Sequence, residues 1–156
     1  EIRRAAVQLP AVVARVVEAM KPEAAANNVK LNVKIPDSLP EFPADASLLE
    51  RALGNLMENA IRFNRPGGTV EVSAKISGGS VVVAVKDDGI GIAPADQPRI
   101  FEKFFRVAPT SSPERPAWGL GLAIAKSVAD WHGGKIWFET KLGQGSTFYL
   151  ALPMKG

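Results

Sequence analysis

Asn55, Asn59 and Arg62 stand four and then three residues apart in the segment ASLLERALGNLMENAIRF, so a helix of 3.6 residues per turn sets all three on one edge. Asparagine costs roughly 0.5 to 0.7 kcal/mol against alanine inside a helix. Two of them beside an apolar stripe therefore call for a reason. Amide oxygens complete the shell of a hard cation, and Mg²⁺ typically takes only one or two protein oxygens while keeping waters and phosphates. An arginine on the same edge suits phosphate. The alternative is a polar helix edge hydrogen-bonded to a neighbouring loop, and spacing alone leaves both open.

A second group lies at the end of an apolar run. Val81 to Val85 lead through Lys86 into Asp87-Asp88-Gly89-Ile90-Gly91-Ile92. A carboxylate at the end of a buried strand is costly to desolvate unless something donates hydrogen bonds to it. An ionised Asp87 only accepts; an exocyclic amine such as that of adenine supplies donors, and Gly89 and Gly91 let a flat ring approach the backbone. An ordinary Asp-Gly turn is the other reading. A third group, Gly119-Leu120-Gly121-Leu122-Ala123, directly precedes a helical pattern and offers free N–H groups to phosphate, or else packs a helix start closely against a sheet. Two phosphate-binding patterns are excluded. Pro94 stands where a dinucleotide fingerprint needs its third small residue, and no GxxxxGK[ST] occurs.

These groups need elements to position them. Residues 11–26 carry apolar positions at helical spacing, with Pro22 expected to kink or interrupt the helix. VKLNVKI, residues 29–35, alternates like a half-buried strand. The loop PDSLPEFPAD follows, and Asp45 is placed to cap a helix over 46–63 whose stripe is Leu49, Leu53, Leu56 and Ala60. TVEVSAKI and SVVVAVKD, joined through Gly78-Gly79, read as an antiparallel hairpin. From Ala93 to Trp118 five prolines leave only RIFEKFFRV with a helical pattern, as expected of a functional lid or a disordered insert. LGLAIAKSVADWH forms another helix, stopped by Gly133-Gly134. KIWFETKL and STFYLALP, turned by Gly143-Gln144-Gly145, close the chain as two strands. Mixed order with two adjacent hairpins predicts an α+β two-layer sandwich, one sheet covered on one face by helices.

Composition narrows the class. A chain of 156 residues, 46% hydrophobic and 22% charged, is expected to form one domain over 1–156. The net charge of +3 and pI near 9.3 come from scattered Lys and Arg, so no nucleic acid partner is expected. Without cysteine there is no disulfide frame and no thiolate metal site. No apolar run approaches the roughly 20 residues of a membrane span, so no membrane contact is expected of this stretch. It begins without Met, and is expected to be cut from something longer.

At this point the chain resembles the ATP-binding catalytic domain of two-component sensor histidine kinases, in the superfamily shared with gyrase, Hsp90 and MutL ATPases, over about Val7 to Pro153. Asn55 to Phe63 resembles the family's asparagine box, Asp87 to Gly91 its first glycine box, Phe101 to Arg106 its phenylalanine box, and Gly119 to Leu122 its second glycine box. Four boxes in order are far more specific than any one of them. The resemblance implies a mixed five-stranded sheet under about three helices, with an ATP lid over about 93–118. It implies ATP and Mg²⁺ as cofactors, with Asn59 and Asn55 at the metal and phosphates. Arg62 would stand where the family usually has a phosphate-facing lysine, Phe63 where it has a tyrosine beside the nucleotide, and Glu58 at a position sometimes given a water-orienting or base role. Asp87 would receive the adenine amine, with Gly89, Ile90, Gly91 and Ile92 beside it; Phe104, Arg106, Gly119, Leu120, Gly121 and Leu122 would complete the ATP site.

The implied reaction passes the γ-phosphoryl group to a histidine on a separate helical hairpin, which also dimerises, and from there to a response regulator receiver domain. This chain would then be a monomeric cytoplasmic domain of a parent that is often an inner-membrane sensor. Its one histidine, His132, lies at a helix end with no acid after it, and is expected to be structural or a C-terminal cap favoured by the helix dipole, the acceptor hairpin being absent. Ala117-Trp118 stand where the family's Gly-x-Gly-Leu-Gly-Leu begins, so the first glycine is missing. That departure leaves open a degenerate domain that senses nucleotide without phosphotransfer. A gyrase-type ATPase would have its glutamate four residues before the asparagine, and that slot is Asn55.

Overall fold

The computed structural model describes residues 2–102 and 120–155. Strand β1 (Ala5–Val7) leads into helix α1 (Leu9–Ala26), which buries Leu9, Val12, Val13 and Val16. The helix runs through Pro22, which sits only four residues before its end, rather than being interrupted there. It stops at Asn28, whose φ of 55° is left-handed, and Val29 N–H returns to Ala24 O at 2.9 Å. Strand β2 (Lys30–Lys34) follows, then β3 (Phe42–Ala44) and helix α2 (Ala46–Arg62). The Asp45 carboxylate accepts the Leu48 N–H at 3.3 Å, so the predicted cap is present.

Strands β4 (Thr69–Ser77) and β5 (Ser80–Asp87) form the expected hairpin, closing with Ser77 opposite Ser80. Its two turn glycines have φ of 57° and 78°, the left-handed pair that a two-residue turn between right-twisted strands requires. A short 3-10 turn covers Gln97–Arg99. Helix α3 (Leu120–Trp131) and strands β6 (Lys135–Lys141) and β7 (Gly145–Pro153) complete the chain. Residues 103–118 of the expected lid lie outside the described residues, as do Phe104, Arg106 and Gly119.

Five strands form one mixed sheet in the order β2-β4-β5-β7-β6, parallel only between β2 and β4. The hairpin β6/β7 is wrapped so that β7 lies inside, against β5. Leu49, Leu53, Leu56 and Ile61 of α2 pack with α1 and α3 on a single face, over Val70, Val72, Val81, Val83 and Val85. Each such buried side chain contributes about 1.5–3 kcal/mol. The run Val81–Val85 shows no alternation because β5 is central and Val82, on the opposite face, is also only 7% exposed. The expected α+β two-layer sandwich is therefore the fold. A second sheet of two short strands, β1 paired antiparallel with β3, was not foreseen. Three-residue strands carry no readable period, and Pro43 disguises β3; it is tolerated in a two-stranded ribbon, which is all edge.

Candidate functional site

Asp87 is the last residue of β5 and is 6% exposed. Its Oδ1 accepts the N–H groups of Gly89 at 2.9 Å and Ser146 at 3.2 Å. Burial pushes the carboxyl up to about 6 and the charge of Asp88 adds to this, while the two N–H donors oppose it. Both bonds go to Oδ1, and Asp87 lines a predominantly apolar cleft together with Asn59 and Ala60 of α2 and Phe63 at its end. Ile90, Gly91 and Ile92 form the adjoining wall; Ile100, Leu122, Ser146 and Phe148 close it. Asp88 takes no part, since its Oδ2 accepts the Thr69 N–H at 3.0 Å and ties the strand end to β4.

The two glycines after Asp87 meet protein backbone, where the sequence suggested that a flat ring would. A Cβ on Gly89 would lie 2.1 Å from the carbonyl oxygen of Phe63, and Ile90 N–H bonds that same oxygen at 3.1 Å. Gly91, at φ 71°, has the Lys141 carbonyl 2.3 Å from its missing Cβ. The loop is thus clamped between the end of α2 and the β6–β7 turn. Thr140 holds it from the same side, its Oγ1 accepting the Ile92 N–H at 2.9 Å and lying 2.8 Å from Ser146 Oγ. Sequence reasoning missed Ser146, Thr140, Ile100 and Phe148. Gly145-Ser146 offered a signal: Gly145 (φ 109°) sits where a Cβ would be 2.2 Å from the Asp87 carbonyl, bringing the next N–H onto the acid.

The polar edge of α2 divides into three surroundings. Asn59 reaches the cleft wall. Asn55 lies under α3, 3.6 Å from where Gly121 would carry a Cβ, and its Nδ2 is buried without a hydrogen-bond partner. Arg62 turns toward α1, its Nε 3.3 Å from Glu23 and its Nη2 3.7 Å from Glu58. The cleft therefore gathers Asn59, Phe63, Asp87, Ile90, Gly91, Ile92 and Leu122, while Asn55, Glu58, Arg62, Gly89 and Gly121 stand around it. Among the described residues no cluster of three His, Cys, Asp or Glu could hold a metal. A cation at this site would rest on amide oxygens and ligand oxygens; the unpartnered Nδ2 of Asn55 is a donor and would not bind it, so the fit rests on the Oδ1 atoms of Asn59 and Asn55.

His132 is buried, 3% exposed. Its Nδ1 lies 2.8 Å from Val128 O and its Nε2 accepts the Asp45 N–H at 3.0 Å. That pair of bonds assigns a neutral ring with the proton on Nδ1. It is structural, as expected, though it ties the end of α3 to the start of α2 rather than answering the helix dipole with a charge.

A family model described as histidine kinase-, DNA gyrase B- and HSP90-like ATPase matches residues 44–156. The chain belongs to this family. Among members of this ATPase family, the sensor-like histidine kinase SenX3 of Mycobacterium tuberculosis is 46% identical over 131 residues, covering 83% of this chain and 32% of SenX3. The alginate biosynthesis sensor protein KinB of Pseudomonas aeruginosa is 38% identical over 133 residues, 85% of this chain and 22% of KinB. The chain thus spans about a fifth to a third of these relatives' length. Full-length ShkA, solved in complex with AMPPNP, is 34% identical, with a TM-score of 0.84 over 98% of this chain and 31% of ShkA. The catalytic domain of histidine kinase ThkA matches end to end at a TM-score of 0.83 and, at 24% identity, shares the fold. The mixed sheet under three helices is that of histidine kinase catalytic domains.

Proposed function

We propose that the chain binds ATP in this cleft and donates the γ-phosphoryl group to a histidine on a separate phosphoacceptor domain of its parent protein. The carrying observation is the buried Asp87, whose two backbone hydrogen bonds both go to Oδ1 and which lines a predominantly apolar cleft together with Asn59. Oδ2 would accept the adenine amine, while Ile90, Ile92 and Leu122 would exclude water from the ring and Phe63 would lie beside it. Asn59, with Asn55, would hold Mg²⁺, which when bound offsets the charge of the phosphates. Arg62, released from Glu23, would face the phosphates, with Arg106 and the backbone at Gly119–Leu122 completing their surroundings. Imidazole is a competent nucleophile near neutral pH, so the acceptor nitrogen would attack the γ-phosphorus as the bond to the β-phosphate oxygen breaks and ADP leaves. The domain's part is positioning and charge neutralisation; Glu58, 3.7 Å from Arg62, would orient rather than act as a strong base.

The relatives' greater length and the name histidine kinase support a phosphoacceptor domain in the parent; a receiver domain downstream belongs to the same proposal. Among the described residues no helix is long and apolar enough to cross a membrane. We place this domain in the cytoplasm as a monomer, beneath a sensor that reaches the inner membrane. The missing first glycine at Ala117 favours one second reading, a domain that senses ATP without transferring phosphate. Calorimetric titration with ATP and Mg²⁺, comparing the chain with Asp87→Asn, tests binding; heat unchanged by the substitution, or no heat at all, overturns the site. Labelled phosphate offered with a supplied histidine hairpin then separates the readings, because a sensor binds ATP and leaves the hairpin unlabelled.

A further inference from the structure

The sheet has a second face, and among the described residues no helix covers it. Strand register sets six lysines outward there, Lys30, Lys34, Lys75, Lys86, Lys135 and Lys141, against two acids, Glu71 and Glu139. The face therefore carries +4 while the whole chain carries +3, so all remaining residues together sum to −1. The sequence scattered these lysines; the fold collects them. Both acids are already engaged. Glu71 lies 3.1 Å from Lys34 Nζ, and Glu139 accepts the Tyr149 O–H. Lys75, Lys86, Lys135 and Lys141 form no ion pair among the described residues. Between them the rings of Trp137 and Tyr149 stack at 5.1 Å and 16°, with Trp137 still 39% exposed. Two shallow hollows flank the stack and share Lys75, Val82, Glu139 and Tyr149, so the basic groups and the apolar floor form one surface.

We infer that this open sheet face is a docking surface for an acidic protein segment, its carboxylates on the lysines and an apolar side chain against Trp137. The layout favours a protein over a nucleic acid. A nucleic-acid strand needs a charge track along its backbone and free ring faces for its bases. Here the lysines are spread over four of the five strands, four residues or roughly 13 Å apart on β2 and six residues or roughly 20 Å apart on β6, with no two directly opposite on neighbouring strands, so they trace no single line. The stacked rings cover one face of each other and Glu139 sits beside them; every nucleotide would bring a phosphate toward that carboxylate, whereas a peptide can set an uncharged side chain there. Five strands at about 4.8 Å spacing give a footprint of roughly 20 by 25 Å, which limits burial to the range of transient contacts. Binding should therefore be weak, fast and sensitive to salt. The face lies apart from the nucleotide cleft, so the inference stands or falls independently of ATP chemistry.

The test uses a fluorescein-labelled peptide of roughly a dozen residues, half of them glutamate and one phenylalanine, followed by anisotropy at low and high salt. Expected are saturable binding that weakens at least about 10-fold between 0.05 and 0.3 M salt, loss of about 10-fold in affinity in Lys75→Glu/Lys135→Glu, and about 3-fold in Trp137→Ala. Lys21→Glu/Lys126→Glu changes the net charge equally on other surfaces and should leave peptide affinity within about twofold. All variants should keep the cooperative thermal transition of the unaltered chain by circular dichroism, which certifies their fold; if the glutamate pair fails that check, Lys75→Gln/Lys135→Gln replaces it. Absence of peptide binding, equal loss in the control pair, or tighter binding of a poly-dT oligonucleotide or of phosphatidylglycerol vesicles than of the peptide overturns the inference.

Discussion

Replacing Asp87 with asparagine separates what this side chain costs from what it recognises. Burial raises its folded-state value to about 6 from 3.8, so the folded chain holds the proton more tightly than the unfolded chain. Stability from this group is accordingly present at pH below about 4 and is lost as pH rises through 6, by up to about 3 kcal/mol. Asparagine keeps an oxygen for the Gly89 and Ser146 N–H groups and carries no charge. Asp87→Asn should therefore be more stable than the parent at pH 7.5, by about 1–3 kcal/mol in urea unfolding, with the gain vanishing near pH 4. The same variant should show no heat with ATP, because an amide N–H₂ meets the adenine amine donor to donor. In the unaltered chain ATP affinity should fall about 10-fold per unit below pH 6, following the ionised fraction. A variant that loses stability at pH 7.5 would show that the carboxylate is satisfied rather than strained by its site. Asp87 itself was legible in the sequence, because a charge ending an apolar strand announces an energetic debt. Arg62 was legible only as a position on an edge; its partner Glu23 is 39 residues away, and nothing local sets how α1 packs on α2.

Among the elements, α2 is fixed at both ends by contacts distant in sequence. Its start receives the Arg3 N–H on Asp45 Oδ2 at 3.0 Å, the principal cause of that carboxyl lying below its usual range, and gives the Asp45 N–H to His132. Its end gives the Phe63 carbonyl to Ile90. His132→Phe removes an acceptor for Asp45 and a donor for Val128 in a buried place, and should cost about 2–4 kcal/mol in denaturant unfolding. ATP affinity should stay within about twofold, since His132 does not line the cleft, and phosphate should never be found on it. A larger loss of affinity than of stability would place His132 in the nucleotide site. Helices and hairpins were readable because their causes are local: a stripe at helical spacing, a cap at Asp45, two glycines at 78 and 79. The parallel pairing of β2 with β4 and the ribbon of β1 with β3 were not, because each joins segments about 40 residues apart and nothing local in either segment names its partner.

At the scale of the molecule, the residues before 44 are as much part of this domain as those the family model spans. α1 lays Leu9, Val12, Val13 and Val16 against α2, β2 supplies the parallel edge of the sheet, and Phe42 of β3 is 2% exposed. Together with Val7, Ala24 and Val29 these side chains form one wall of a single hydrophobic cluster rather than a satellite to it. At about 1.5–3 kcal/mol for each large side chain, their removal is comparable to or larger than the roughly 5–15 kcal/mol by which a domain of this size is stable. A chain beginning at Ala44 should therefore show no cooperative thermal transition by circular dichroism and should bind a hydrophobic dye, even though it retains Asn55, Asn59, Asp87 and the whole cleft. ATP in excess would not restore it, since even a thousandfold excess over the dissociation constant adds only about 4 kcal/mol. Cooperative melting of that shorter chain would mean that α1 and β2 are an appendage. The site would then be held by α2, α3 and four strands alone, and the Arg62 to Glu23 contact would be dispensable to it.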